Sequence, residues 1–212
     1  MSPTSALVLA IVLGGPASGQ TPPIFNPGAP GEASRVISAS EAVELSRTGH
    51  VEADVGFMQH MLVHHAQAIE MVELLRARGS SETVRLMGER IAQSQAAEMA
   101  QMEAWLEGRG LPLAAVDPHA GHHAPADPDA PLMPGMLSPR QMAALAASSG
   151  PAFDRLFLEG MIQHHEGALD MVEALLDDPG AAEDPVLSDF ASSVTADQSA
   201  EILRMQSILS AL

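Results

Sequence analysis

The sequence predicts an all-α protein, a four-helix bundle built from two repeated helical hairpins. One stretch of the chain occurs twice, at Asp54–Leu75 and, one hundred positions later, at Asp154–Leu175. The residues that recur in register are Phe57, Met61, His64, His65, Ala68, Met71, Val72 and Glu73, which return as Phe157, Met161, His164, His165, Ala168, Met171, Val172 and Glu173. A second helical stripe of apolar residues follows each copy, and the sequence shows no strand-like alternation. Two hairpins that each carry an apolar face can bury it against one another, as in a four-helix bundle.

Capping residues, Gly and Pro delimit the predicted helices. We expect a short helix from the Ser38 capping box to about Thr48, long helices at Val51–Arg78 and Glu82–Glu107, a short helix from Ser138 to about Ser148, and long helices from Gly150 to about Leu176 and from Asp184 to near the C-terminus. Gly79 stands where a left-handed C-cap is expected. Residues 111–138, rich in Pro, His and Met, are predicted to be a linker long enough for a crossover connection between the hairpins. The bundle is therefore expected to span residues 51–212.

The chain preceding the bundle is predicted to be a signal peptide followed by a disordered lead-in. Ala6–Leu13 is an apolar run too short to cross a bilayer, and Ala17-Ser18-Gly19 offers small residues at a cleavage site, although no Lys or Arg precedes the run. Residues 1–19 are thus expected to be removed on export to the periplasm or the extracellular space. Residues 20–50 hold several Pro and Gly residues and are expected to be disordered apart from one short helix.

Composition excludes several classes of function. The 212 residues can form one ordinary domain, and the absence of Cys excludes disulfides, thiolate metal sites and thiol nucleophiles. The formal net charge of −17 makes nucleic acid and anionic membranes improbable partners. No later stretch is apolar enough for a membrane span. The expected partner is a metal ion, and the sequence does not indicate an oligomeric state.

The repeated stretch places imidazoles and thioethers on the face that a helix buries. At about 100° per residue, Met61 and His65 lie within the apolar stripe of the first copy, and His64 and Met71 lie on its flank. A single Met at such a position usually fills a core, and a single His is usually a hydrogen-bonded core residue. Repetition of the whole arrangement in register favours a metal site instead.

The predicted metal ligands are His60, Met61, His64, His65, Met71, Met161, His164, His165 and Met171. His60 lies one helical turn before His64, whereas its counterpart in the second copy is Gly160, so the two halves differ chemically. Thioethers favour Cu(I), and imidazoles serve copper, zinc and nickel. Copper is therefore the expected metal, with Cu(I) favoured and other divalent ions left open. Glu98 and Glu201, on the accompanying helices, are predicted to hold the second nitrogen of ligating histidines. The alternative is a hydrogen bond to a neighbouring His or to the backbone without any metal.

The linker offers a second, weaker candidate site. It contains His119, His122 and His123, followed by Met133 and Met136. A flexible segment with these side chains could bind copper loosely. The alternative is a polar linker exposed to solvent, without any role in metal binding.

The motifs resemble those of the family called domain of unknown function 305. The resemblance rests on the HHxxAxxM pattern in His64–Met71 and His164–Met171, and on Met133–Met136 running into the segment 141–145, and it covers roughly Val51–Leu212. It implies a ferritin-like four-helix bundle. Some members, the CopM-type proteins, are exported copper-binding proteins linked to copper tolerance, so the resemblance implies copper sequestration or carriage here. By position it implies a role for the paired histidines and for Met61, Met71, Met161 and Met171.

Two alternative functions remain at this point. A ferritin-like metalloenzyme would use a redox-active site, but di-iron proteins carry Glu-x-x-His pairs where this chain has Gln95-x-x-Glu98 and Gln198-x-x-Glu201. No catalytic motif is present, so enzyme activity is not expected. The other alternative is a helical interaction module in which the His pairs are structural.

Overall fold

The structure is a computed structural model that describes residues 22–27, 33–46, 49–114 and 129–212. The chain divides into two compact units, Met1–Arg47 and Thr48–Leu212, and each is described by itself. The predicted signal peptide lies outside the described residues. No helix among the described residues is long and apolar enough to cross a membrane.

The first unit contains a small hairpin that the sequence pattern did not predict. Strands β1 (Ile24–Asn26) and β2 (Arg35–Ile37) pair antiparallel, with Phe25 opposite Val36. The expected disordered lead-in, free of strands, is therefore wrong at these residues. Three-residue strands of aromatic and β-branched residues are too short to produce a readable alternation. The short helix α1 (Ala39–Ser46) follows, and the Ser38 hydroxyl accepts a hydrogen bond from the Glu41 amide at 3.1 Å, as its capping sequence predicts.

The second unit is all-helical in its described residues, and its helix limits confirm the sequence prediction. Its helices are α2 (Glu52–Arg78), α3 (Glu82–Glu107), α4 (Pro139–Ala147), α5 (Gly150–Leu176) and α6 (Pro185–Ser210). The hydroxyls of Ser81 and Ser138 and the carboxylate of Asp184 cap α3, α4 and α6. The left-handed C-cap predicted at Gly79 is wrong, because Gly79 is extended, with φ −68° and ψ 147°. This conformation carries the chain to Ser80 and Ser81, whose amides are held by Asp154.

The long helices form a bundle with one crossover connection. α2 packs against α3 and α5, and α5 packs against α6. The amino-terminal half of α2 shares an apolar cluster with the carboxyl-terminal halves of α3 and α5 and with the amino-terminal half of α6. The directions of α2, α3, α5 and α6 are therefore up, down, down and up, so the end of α3 and the start of α5 lie at opposite ends of the bundle. This is the connectivity of a ferritin-like bundle, which confirms the predicted fold class.

Two buried aspartates tie each hairpin to the other. Asp54 Oδ1, at the start of α2, accepts from the Ala182 amide in the α5–α6 turn at 2.8 Å. Asp154, at the equivalent position of α5, accepts from the amides of Ser80 and Ser81 and from the Ser80 hydroxyl in the α2–α3 turn. Each aspartate thus satisfies backbone donors of the opposite turn, and the repeat acts as a pair of reciprocal clamps.

The core consists of two apolar clusters. One contains Phe57, Met61, Leu62, Met102, Trp105, Ala168, Val172, Phe190 and Val194 among its members. The other contains Ala68, Met71, Val72, Ile91, Leu145, Phe153, Phe157, Met161 and Met205 among its members. On every long helix the residues between these clusters include buried polar side chains, so a polar layer crosses the middle of the bundle.

Candidate metal centre

The polar layer is assembled from equivalent positions on all four long helices. Its members are His64 and His65 on α2, Gln95 and Glu98 on α3, His164 and His165 on α5, and Gln198 and Glu201 on α6. None of these residues is more than 7% exposed. On α3 and α6 the Gln and Glu are three residues apart, so both lie on the face that the bundle buries. The repeat in the sequence therefore becomes an approximate two-fold symmetry of the layer.

Two carboxylate–imidazole pairs form the sides of the layer. His65 Nε2 lies 2.5 Å from Glu98 Oε2, and His165 Nε2 lies 2.8 Å from Glu201 Oε2. Both contacts are buried and join helices within one hairpin. The expected partnership of Glu98 and Glu201 with histidines is therefore present in the structure. Such a carboxylate fixes the orientation of the ring and increases the basicity of its other nitrogen.

The other two histidines meet at the centre of the bundle. The ring centroids of His64 and His164 are 3.8 Å apart, with 38° between the ring planes. His164 Nε2 donates to the His64 carbonyl oxygen at 2.9 Å. His64 Nε2 donates instead to the Pro134 carbonyl oxygen in the linker, at 3.0 Å. The two His pairs thus meet in one layer, and the hydrogen bond from His64 to the linker breaks the two-fold symmetry of that layer.

These hydrogen bonds leave one nitrogen of every ring free to act as a ligand. Within the described part of the chain, Nδ1 of His64, His65, His164 and His165 has no hydrogen-bond partner although it is buried. A neutral ring whose Nε2–H donates to an oxygen carries its lone pair on Nδ1. Buried polar atoms are normally satisfied, so four unpartnered lone pairs in one layer require an explanation. A metal ion is one group that accepts the lone pairs of neutral imidazoles.

Burial keeps the central rings in the form that binds metal. The pKa of His64 is lowered to about 4, chiefly by desolvation and then by the neighbouring His65, while the hydrogen bond to Pro134 opposes the shift. The pKa of His164 is also well below its ordinary value, again because of burial and then because of His64. Both rings are therefore neutral at pH 7, and a proton does not compete for Nδ1 there.

The methionines lie on either side of the layer, within the apolar clusters. Met61 belongs to the first cluster, and Met71 and Met161 belong to the second. Met171 is partly buried against the first cluster. The structure therefore gathers the four imidazoles into one group and places the thioethers of the repeat in the adjoining apolar clusters.

His60 does not join the layer. It is exposed on α2, where it lines a shallow surface cavity with Phe57, Met171 and Asp178. The equivalent position on the opposite face is Gly160, where an added Cβ would lie 3.0 Å from Leu137 and 3.3 Å from Met71. One face of the bundle is thus accessible beside His60, and the other is covered by the linker.

The covering segment, Pro134–Leu137, is called the strap below. Gln67 of α2 binds the Leu137 amide and carbonyl at 2.7 and 3.0 Å, and Gln163 of α5 donates to the Gly135 carbonyl at 3.2 Å. Gly135 has φ +72° and abuts Gly167 so closely that a Cβ on either residue would overlap the other backbone. The strap is therefore held by both His-bearing helices.

Of the candidate loop site, the structure describes only the two methionines. Met136 is buried within the strap, and Met133 is partly buried just before it. His119, His122 and His123 lie outside the described residues. Among the residues that are described, no group of three or more His, Asp or Glu side chains has the arrangement of a formed metal site.

Two polar members of the layer were not among the predicted site residues. Gln95 and Gln198 are fully buried, and both amide atoms of each lack a partner within the described residues. Their recurrence three residues before Glu98 and Glu201 was the signal that could have included them. The Pro134 carbonyl had no such signal, because a backbone acceptor in a linker leaves no trace in residue identity.

The sequence profile of the family described as domain of unknown function (DUF305) matches residues 54–209. A DUF305 fragment from Deinococcus radiodurans is 33% identical, with 78% of this chain and 100% of that chain covered and a TM-score of 0.65. A DUF305 protein from Streptomyces coelicolor is 31% identical, covering 74% of this chain and 92% of that chain, with a TM-score of 0.62.

A third solved structure is CopM in a Cu(I)-bound form. It is 25% identical, with 73% of this chain and 93% of that chain covered and a TM-score of 0.55. CopM has also been solved in Ag-bound, Cu(II)-bound and apo forms. No functionally curated protein matches the sequence.

Proposed function

The chain belongs to the DUF305 family, and from that premise we propose that it is an exported copper-binding protein that sequesters or carries the ion through its polar layer. The observation that carries this proposal is the set of four buried imidazoles whose Nε2 atoms are engaged and whose Nδ1 lone pairs are free. The CopM structures bound to Cu(I), Cu(II) and Ag support the choice of metal. The apolar segment near the N-terminus supports export.

The histidines and their carboxylate partners have distinct roles in this proposal. His64, His65, His164 and His165 provide the imidazole ligands. Glu98 and Glu201 orient His65 and His165 and supply negative charge to the buried layer. Because the central rings are neutral at pH 7, they need not lose a proton before binding. The chemistry is reversible coordination, without reaction of an organic substrate.

We further propose that Cu(I) is the preferred oxidation state. Met61, Met71 and Met161 are buried in the clusters that border the layer, and Met171 is partly buried against the first of these clusters. Thioethers are soft ligands that Cu(I) accepts and that zinc gains little from. His60 and Met171 line one surface cavity and are proposed to be an outer pair at which the ion enters. Met133, Met136 and the linker histidines are proposed to be a weaker, separate site.

Melting curves of the parent and two double variants test the imidazole ligands. Copper should raise the melting temperature of the parent, because a ligand that binds only the folded state stabilises it. His64→Gln/His65→Gln and His164→Gln/His165→Gln should each lose most of this increase. His50→Gln, the same change at an exposed position outside the layer, is the control and should retain it. Equal copper-induced increases in all four proteins would remove the His pairs from the site.

Replacing the four methionines of the repeat by leucine tests the preference for Cu(I). Leucine keeps their volume and apolarity, so Met61→Leu, Met71→Leu, Met161→Leu and Met171→Leu together should leave the free energy of unfolding within about 1.5 kcal/mol for each buried position. Cu(I) affinity, measured by competition with a Cu(I) chelator, should fall at least tenfold, and Zn(II) affinity should change little. If the leucine variant binds Cu(I) as tightly as the parent, these methionines only fill the core.

A further inference from the structure

Gln95 and Gln198 are the polar residues of the layer that the proposed function leaves unused. Each is completely buried, and neither the amide nitrogen nor the amide oxygen of either residue has a partner among the described residues. An unsatisfied buried amide is costly, and here two occur at equivalent positions of the repeat. Leucine or methionine would fill the same space without that cost. Their presence in the layer therefore points to a polar or electrostatic role.

The formal charge of the layer indicates what that role is. When its imidazoles are neutral, as ligands must be, the layer carries only the two carboxylate charges of Glu98 and Glu201. The other buried carboxylates in the described chain, Asp54, Asp154 and Asp184, lie near the helix ends, where they bind turn or cap amides. A buried site tolerates little uncompensated charge, so the bound ions must carry a total charge of about +2.

A carboxylate at each Gln position would change this balance without changing shape. Glu has nearly the volume of Gln, and four carboxylates in place of two would compensate two divalent ions. Each Gln stands three residues before its Glu, so the change would give each of these helices two carboxylates on its buried face. The neutral amide is thus the feature that separates a layer suited to a total ionic charge of about +2 from one suited to two divalent ions.

We infer that Gln95 and Gln198 are specificity-determining residues that limit the layer to two positive charges, so that it takes two soft monovalent cations or a single divalent one. This inference rests on the proposed function, because it concerns the same layer. It restricts the number and the charge of the ions that the layer binds, which ligand softness alone does not. Softness selects copper or silver over zinc, whereas charge limits how many ions of each valence the layer holds.

The test compares isosteric variants of the full chain by native mass spectrometry. The parent and Gln95→Glu/Gln198→Glu are equilibrated with Zn(II), or with Cu(I) under anaerobic reducing conditions, and loosely bound ions are removed with a chelator. The double variant should retain one more Zn(II) per chain than the parent. Its metal-free melting temperature should fall, and zinc should restore it. The control is Gln93→Glu/Gln206→Glu, which adds the same charge at exposed positions of α3 and α6 and should retain the parent's number of ions.

Three further variants keep the inference falsifiable. Gln95→Leu/Gln198→Leu removes the amides and adds neither charge nor a metal ligand, so it should retain the parent's number of Cu(I) ions. Each single variant, Gln95→Glu or Gln198→Glu, adds one charge and should shift the relative affinity toward Zn(II), even if the double variant does not fold without metal. The inference is overturned if the Glu variants gain no preference for Zn(II), if the exposed control gains as much, or if the Leu variant loses Cu(I).

The outcomes also separate this inference from the proposed function. If the parent binds no Cu(I) in its layer, shown by equal Cu(I) numbers in the parent and in His64→Gln/His65→Gln, the proposed function fails. If the parent binds Cu(I) there but the Glu variants behave as the parent does, only the inference about Gln95 and Gln198 fails.

Discussion

At the scale of single residues, the hydrogen bonds of each imidazole decide its chemistry. His65 and His165 are oriented by carboxylates, whereas His64 and His164 are oriented by backbone carbonyls. All four rings therefore present Nδ1 as the free nitrogen. Only His65 and His165 have a negatively charged partner, because only they are paired with carboxylates. The histidines of one layer thus fall into two kinds, which differ in whether Nε2 is bonded to a carboxylate oxygen or to a backbone carbonyl oxygen.

The burial of His64 makes the stability of the metal-free protein depend on pH. The pKa of His64 is about 4 in the folded chain against 6.5 for the unperturbed ring. Between these values the unfolded state binds more protons, so the free energy of unfolding rises with pH. The contribution is fully present above about pH 6.5 and is lost as the pH falls toward 4. A difference of roughly 2.5 pH units corresponds to about 3 kcal/mol.

Urea denaturation between pH 4.5 and 7 measures this contribution. The variant His64→Gln has no titratable group at that position and should show a flatter dependence than the parent. His164, with a lowered pKa of its own, should keep some of the slope in that variant. His50→Gln, which makes the same change at an exposed ring outside the layer, is the control variant. Identical slopes for the parent and His64→Gln would show that the ring does not stay neutral on folding.

At the scale of elements, the strap converts the end of the linker into part of the bundle. Gln67 and Gln163 each bind its backbone, and Gly135 lies directly on Gly167. Because the strap supplies the acceptor for His64, it controls the orientation of one central ring. The strap therefore links a polar, Pro-rich segment to the geometry of the layer.

Adding one methyl group to the strap tests this link. Gly135→Ala places a Cβ 2.5 Å from Gly167 Cα at a residue with φ +72°. Gly150→Ala is the matched control, because Gly150 has φ +64° and no neighbour within 4 Å of the added atom. The control should lose about 1–2 kcal/mol from the left-handed conformation alone. Gly135→Ala should lose about 2 kcal/mol more by thermal or urea unfolding, since the overlap involves backbone on both sides.

Hydrogen exchange shows which part of the molecule loses stability in Gly135→Ala. In Gly135→Ala the Leu137 amide should exchange faster than in the parent, because the strap must lift away from Gln67. Amides in the middle of α3 should keep their protection relative to the global stability of each variant. Equal stability of the two Ala variants would contradict close contact between the strap and α5.

At the scale of the whole molecule, the two hairpins are joined by the polar layer and by the reciprocal aspartate clamps. The clamps act at opposite ends of the bundle, since Asp54 reaches the α5–α6 turn and Asp154 reaches the α2–α3 turn. They are unequal. Asp154 accepts from three donors of the opposite hairpin, whereas Asp54 accepts from one donor there and from the Val51 amide of its own hairpin.

Removing the Asp154 carboxylate should therefore lower the free energy of unfolding more than removing the Asp54 carboxylate. Asp154→Ala should lower the free energy of unfolding by about 3–5 kcal/mol, because three donors of the opposite hairpin lose a charged acceptor. Asp54→Ala should cost about half as much. Asp170→Ala, which removes an exposed carboxylate from the same helix as Asp154, should stay within about 0.5 kcal/mol of the parent. Equal effects of Asp54→Ala and Asp154→Ala in urea unfolding would show that the cross-hairpin contacts do not decide stability.

The sequence by itself determined the helices, their limits and the repeat, because each of these depends on residues close together in the chain. The spacing of His64, Met71 and Glu98 placed them on buried faces, and the starting residues Ser38, Ser138 and Asp184 located three helix starts. The family, too, followed from local motifs. A helix period of 3.6 residues converts local pattern directly into a face, so these predictions required no knowledge of the tertiary structure.

Only the tertiary structure decided which nitrogen of each ring is free, which face the strap covers and what Asp54 and Asp154 hold. Each of these depends on contacts between residues far apart in the chain, such as His64 with Pro134 and Asp154 with Ser80. A carbonyl acceptor or an amide donor exists at almost every residue, so sequence carries no signal for which one is used. The extended Gly79, the paired strands and the unpartnered amides of Gln95 and Gln198 have the same origin, since three-dimensional neighbours override local preference there.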